Sequence, residues 1–111
     1  MEEKKCCCDL TMARQLIADE AMCGRMANLF KALSEPTRVK LLLSMLHGEV
    51  CVQGFVDLLG LTQPSISNQL SKLKSDGLVK CRKEKNNIYY SLDDEHVHDL
   101  VEIGLKHINH I

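Results

Sequence analysis

Apolar side chains recur at helical spacing from about Leu10 to Leu33 (Leu16, Ile17, Met22, Met26, Leu29, Phe30, Leu33), which predicts one long helix or two short ones. The stretch "SEPT" then supplies a start signal. Ser34 can cap, and Pro36 fits a first turn, where its missing N–H costs nothing. The helix it opens should run from about Pro36 to Leu46, apolar at Val39, Leu42, Leu43 and Leu46, and stop at Gly48. A short helix follows from about Val52 to Leu59, ended by Gly60 in the left-handed conformation. Thr62 caps the next helix, with Pro64 in its opening turn and Ile66, Leu70 and Leu73 on its buried side, until Gly77 ends it. Two helices this close together make a helix-turn-helix. "LVKCRKEKNNIYYSL" then alternates apolar and polar on both sides of "KNN", as a hairpin does, with Asn86 and Asn87 able to take positive φ. Ser91 or Asp93 caps a last helix running to about His110. The class is mainly α (α+β): a winged helix-turn-helix whose wing is a two-stranded β-hairpin.

Length limits this pattern to one small domain. The 111 residues are expected to divide into a mobile, cysteine-rich arm over 1–9 and a single winged-helix domain over 10–111, which a partner subunit would help to stabilise. No apolar run approaches the roughly 20 residues that span a bilayer, and the acidic start lacks the apolar region of a signal peptide. The expected location is therefore cytoplasmic, away from membranes. In a reducing compartment six cysteines read as thiols, metal ligands or small core residues, and the adjacent Cys6, Cys7 and Cys8 form no sensible disulfide framework.

A net charge of −1 argues against a nucleic-acid binder until its distribution is considered. Residues 61–90 carry six basic side chains against Asp76 and Glu84, whereas 92–111 carry five acidic ones against Lys106. The second helix of the pair offers Gln63, Ser65, Ser67, Asn68, Gln69, Ser71 and Lys72 away from its buried side. Such groups approach a major groove, where Gln or Asn can pair with adenine and backbone N–H groups can hold phosphate. Lys80, Arg82, Lys83 and Lys85 of the wing would contact the DNA backbone. The plainer reading of that helix is a solvated polar face; the tight turn and the basic hairpin beside it favour double-stranded DNA.

Four of the five histidines fall in the last helix. His96 and His107 stand eleven residues apart, close to three full turns, so they share a face, and His110 joins His107 there. Asp94 reaches the same face only from the start of the helix, where the backbone is not yet helical. Eleven residues rise about 16 Å, whereas one Zn(II) needs every ligand at about 2.0–2.2 Å. Two copies of the helix packed antiparallel across a two-fold axis solve this, because the Asp94/His96 end of one meets the His107/His110 end of the other, twice per dimer. One carboxylate and three imidazoles form a closed tetrahedral set for Zn(II), fitted to sensing or structure and not to catalysis. The plainer reading is exposed histidines on an acidic helix, with helix-end imidazoles interacting with the dipole. His98 falls away from the face and should be solvated; His47, near a helix C-terminus, reads as a dipole partner.

"LFKALSEPTRVKLL", "EVCV", the helix-turn-helix, "IYYSLDDEH" and the pattern Asp94, His96, His107, His110 together resemble the ArsR/SmtB family of metal-responsive winged-helix repressors over roughly residues 25–110. The likeness is greatest to zinc-sensing members with ligands on the C-terminal helix. It implies a homodimer that represses a metal-efflux or sequestration operon and leaves its operator when metal binds. In relatives that sense soft metals, a cysteine at the position of Cys51 joins thiols of the N-terminal arm and often a second cysteine two residues on, where this chain has Gln53. The resemblance thus also implies an alternative: a repressor responsive to Cd(II), Pb(II), As(III) or thiol redox, using Cys6, Cys7, Cys8 and Cys51. Cys23 and Cys81 read as small apolar fillers. A metal-buffering protein that never touches DNA is the reading from another class. No enzyme is expected, since no Ser/His/Asp set, open metal site or phosphate-cradling loop can be placed.

Overall fold

The structure is a computed structural model in which residues 6–110 are described; the first five positions of the expected arm, and Ile111, lie outside them. Two compact units divide the chain after Lys31. The first holds two short helices, α1 (Thr11–Ala18) and most of α2 (Glu20–Ala32), in place of one long one. Asp19 separates them. Its carboxylate accepts the Met22 N–H at 2.9 Å and so starts α2. The apolar spacing is helical, yet Met12, Leu16, Ile17, Met26 and Phe30 remain exposed in the single chain.

The second unit begins with α3 (Pro36–Ser44), followed by β1 (Val50–Cys51), α4 (Val52–Leu59), α5 (Gln63–Ser75), β2 (Val79–Glu84), β3 (Asn87–Leu92) and α6 (Glu95–His110). Two expectations about α3 are corrected. Its cap is Glu35 and not Ser34: the Glu35 carboxylate accepts the N–H groups of Thr37 and Arg38, each at 3.0 Å. Leu42 and Leu46 are buried as expected, but the residues buried beside them are Leu41 and Met45, while Val39 and Leu43 stay exposed, so the inward face is turned toward Leu41.

The helix-turn-helix forms as its punctuation requires. Gly60 ends α4 at φ 67 and ψ 22, a left-handed conformation that costs a residue without Cβ nothing. Thr62 Oγ1 then accepts the Ser65 N–H, with Pro64 in the first turn. Ile66, Leu70 and Leu73 are fully buried and pack with Phe55, Leu41, Leu78 and Val79 as the core.

The wing is the antiparallel pair β2–β3, in register from Val79 opposite Leu92 to Glu84 opposite Asn87. Its two-residue turn takes positive φ at Lys85 (φ 55), not at Asn86 or Asn87, because Asn87 already pairs in the ladder. The sheet also has a third strand that the hydrophobic pattern does not reveal. β1, two residues long, pairs with β3 through Val50–Tyr90 and Cys51–Tyr89, giving the order β1-β3-β2.

Candidate functional site

The face of α5 opposite Ile66, Leu70 and Leu73 carries exposed Asn68, Ser71 and Lys72, with Ser65 and Ser67 half-buried at its margins; Gln63, also exposed, is the first residue of the helix and lies nearer the buried side. These are short polar groups on the second helix of a helix-turn-helix, where base edges and phosphates are within reach. Gln69 departs from the expected set. It sits on the flank of α5, half-buried, and its Oε1 accepts the Arg38 Nε–H of α3 at 3.3 Å. Asn68 one position earlier takes the outward direction.

On the wing, Lys80, Lys83 and Lys85 are exposed as expected for backbone contacts. Arg82 is exposed but occupied. Its Nε and Nη2 donate to the two oxygens of Glu49 at 2.7 and 2.9 Å, and its Nη1 donates to Glu84 at 2.6 Å. Its guanidinium also lies over the ring of Tyr89, 4.7 Å from the centroid, on the strand directly opposite. The forked bond to Glu49 ties β2 to the segment that leads into β1. The same bond draws the Glu49 carboxyl below its usual range. Sequence reasoning missed Glu49 and Arg38 as members of this surface. Both are ordinary surface-type residues whose roles depend on partners 33 and 31 positions away.

The expected metal ligands lie on α6. Asp94, not Ser91 or Asp93, starts the helix: its Oδ1 accepts the Val97 N–H at 3.0 Å and its carbonyl accepts the His98 N–H. The Val97 N–H first, and then His96, hold its carboxyl below the usual range. Its second oxygen, Oδ2, stands 3.5 Å from His96 Nδ1, and the His96 side chain is 97% exposed. His107 and His110 are exposed in the last turn of this 16-residue helix. One chain thus brings Asp94 and His96 together and places the other two imidazoles three turns away.

His98 is not simply solvated as expected. It is half-buried, with Nδ1 at 3.5 Å from Asp99 and Nε2 at 3.6 Å from Glu102. Glu102 also accepts the Lys106 Nζ–H at 2.8 Å, the main cause of its lowered carboxyl pKa. His47 lies exposed in the turn after α3.

Among the cysteines, Cys6, Cys7 and Cys8 are exposed, with their sulfurs within 4.8 Å of one another; they are the one metal-capable group of three or more His, Cys, Asp or Glu side chains gathered within a single chain among the described residues. The backbone N–H of Cys8 points at Cys6 Sγ (3.4 Å) and lowers the Cys6 thiol below its usual range. Cys51 ends β1 and precedes α4, its own side chain making no capping bond. Cys81, half-buried on β2, lies 3.3 Å from Lys74 Nζ.

A helix-turn-helix with a polar outer face, followed by a basic antiparallel wing, defines a winged-helix DNA-binding protein. The sequence pattern described as "Bacterial regulatory protein, arsR family" matches residues 35–80. A cadmium resistance transcriptional regulatory protein, CadC homolog, of Staphylococcus aureus is 45% identical over 82 residues, which cover 73% of this chain and 68% of that protein. A transcriptional repressor, SmtB homolog, of Synechocystis is 36% identical over 84 residues, covering 76% of this chain and 64% of that one. The chain therefore spans about two thirds of the length of these curated relatives. Among solved structures, the homodimeric winged helix-turn-helix DNA-binding domain Mb0332 of Mycobacterium bovis superimposes with TM-score 0.73 at 29% identity, over 83% of this chain and 89% of that one. The chain belongs to the ArsR family: it is a DNA-binding transcriptional repressor and not an enzyme. Family membership decides against the metal-buffering alternative. No helix among the described residues is long and apolar enough to cross a membrane.

Proposed function

We propose that this repressor is metal-responsive, acts as a homodimer on double-stranded operator DNA, and is released by Zn(II) held between Asp94 and His96 of one subunit and His107 and His110 of the partner subunit. The observation that carries the reading is the Asp94–His96 pair. Zinc ligands at about 2.0–2.1 Å in a tetrahedron stand about 3.3 Å apart, and Asp94 Oδ2 and His96 Nδ1 are already 3.5 Å apart. The capping bond leaves Oδ2 available and keeps the carboxylate charged.

The rest of α6 supports a partner. His96, Leu100, Ile103, His107 and His110 follow one another at intervals of four and three residues, so they form a single stripe along the helix. Ile103 is 64% exposed and Ile108 66%, values that call for cover. A two-fold axis crossing near Ile103 sets the polar ends of two antiparallel stripes against each other and their apolar centres together. A Cβ added at Gly104 would meet nothing within 4 Å, so this chain's own packing leaves that side open.

When bound, the ion supplies a four-coordinate link between subunits. Asp94, His96, His107 and His110 thereby join the two α6 helices, and the joined pair holds the two α5 helices at a separation that fits DNA less well. A coupling of about 1–3 kcal/mol is sufficient for strong release and works equally in reverse, so operator weakens metal binding by the same factor. The test is metal-dependent operator release by the purified dimer. His96→Ala and His107→Ala should each shift release to at least tenfold higher zinc; release at unchanged zinc refutes the reading.

A second reading has its own observation in the gathered thiols of Cys6, Cys7 and Cys8. Three sulfurs select a soft ion such as Cd(II), Pb(II) or As(III). Replacing all three with Ser, or Cys51 with Ser, would then abolish the response to those ions while leaving that to zinc intact.

A further inference from the structure

We infer that Arg38, and not Arg82, is the arginine that takes a backbone phosphate of the operator, with Gln69 as the positioning residue that holds its guanidinium. The inference rests on the DNA-binding reading and assigns a contact that the basic wing does not suggest.

The two arginines differ in what already satisfies them. Arg82 has Nε, Nη1 and Nη2 all bonded to carboxylates, and its charge is answered by Glu49 and Glu84. A phosphate would have to displace a forked ion pair to reach it. Arg38 is half-buried in the first turn of α3, and among the described residues no carboxylate makes an ion pair with it. Glu35 is turned to the backbone N–H groups of Thr37 and Arg38 itself, and it acts on the Arg38 guanidinium only through space, without an ion pair. One neutral contact, Nε to Gln69 Oε1 at 3.3 Å, fixes the Arg38 guanidinium and leaves both Nη groups as donors.

A guanidinium stays charged at any working pH, and a partly buried charge needs a counter-charge. The position of Arg38 says which kind. Gln69 lies on α5 roughly 60° from its buried line, on the side toward α3, whereas Asn68 lies almost opposite that line. Groups on the flank of a recognition helix face the walls of the groove, where phosphates lie, and not the base edges on its floor. Gln69 thereby turns its amide toward Arg38 on the flank of α5, and away from the base edges that it would have to face to pair with adenine.

The experiment measures the salt dependence of binding by the metal-free dimer to a promoter fragment and to an unrelated duplex. Each phosphate contact contributes about 0.9 to the slope of log affinity against log salt. Arg38→Gln should reduce that slope by about 1.8 for two protomers and weaken both duplexes alike, and Arg38→Lys should retain the slope. Arg82→Gln should leave it unchanged. Gln69→Leu should weaken binding several-fold in the wild-type background and add nothing to Arg38→Gln. An unchanged slope in Arg38→Gln, a slope lost in Arg82→Gln, or full additivity of Gln69→Leu overturns the inference. If the wild-type dimer shows no salt-dependent binding to any duplex, the DNA-binding reading fails together with it.

Discussion

Two carboxylates, Glu35 and Asp94, each start a helix by accepting backbone N–H groups; Glu35 stands one residue beyond the expected Ser34, and Asp94 one beyond Asp93 and three beyond Ser91. Ser34 outranks Glu35 as a cap by residue preference, but the longer carboxylate reaches two N–H groups at once. Asp93 and Asp94 cannot be separated by preference at all; only the backbone angles at the start of α6 choose between them. The folded chain binds the Glu35 proton less readily than the unfolded chain, because the Thr37 and Arg38 N–H groups hold its carboxyl below the ordinary value of 4.5. Its stabilisation is therefore fully present above that value and is lost as pH falls through the folded pKa. Urea midpoints of wild type and Glu35→Ala should differ by a constant amount from pH 7 to pH 5 and converge in more acidic solution.

At the scale of elements, the helix-turn-helix was legible because every boundary carries its own chemistry: Gly60, Thr62, Pro64 and Gly77 each act locally. β1 was not legible. Two residues contain no period, and the strand exists because Tyr89 and Tyr90 present an edge to Val50 and Cys51 from across the sheet. The wing turn shows the reverse case, in which a local preference was read correctly and then overruled. Two asparagines that tolerate positive φ stand next to the residue that takes it, because the Glu84–Asn87 pair fixes the register and leaves Lys85 at the left-handed position. A side chain there carries a cost of about 1 kcal/mol. Lys85→Gly should raise stability by about that amount in denaturant titration, and loss of stability would show that the turn is held by the lysine itself.

For the whole molecule, the proposed division of ligands between the two ends of α6 makes a stoichiometric prediction. One chain carrying Asp94→Ala and His96→Ala, paired with another carrying His107→Ala and His110→Ala, retains one complete set of four ligands and one empty set. Such mixed dimers should bind one zinc, and each parental homodimer none; a mixed dimer that binds none would place the sites within single chains. The pattern that suggested this arrangement was legible in spacing alone, because a helix fixes which residues share a face. What spacing did not reveal was the apolar groove of about 420 Å³ bordered by Leu42, Leu43, Leu100, Leu105 and Ile108, since several of those side chains look like ordinary core positions. Gly104, on the border of that groove, bears on the same point. Alanine would make α6 more stable by up to about 1 kcal/mol in a solitary helix, and nothing in this chain opposes the extra methyl. If two α6 helices cross as proposed, the missing methyl at Gly104 would let the neighbouring backbone approach more closely there than alanine allows.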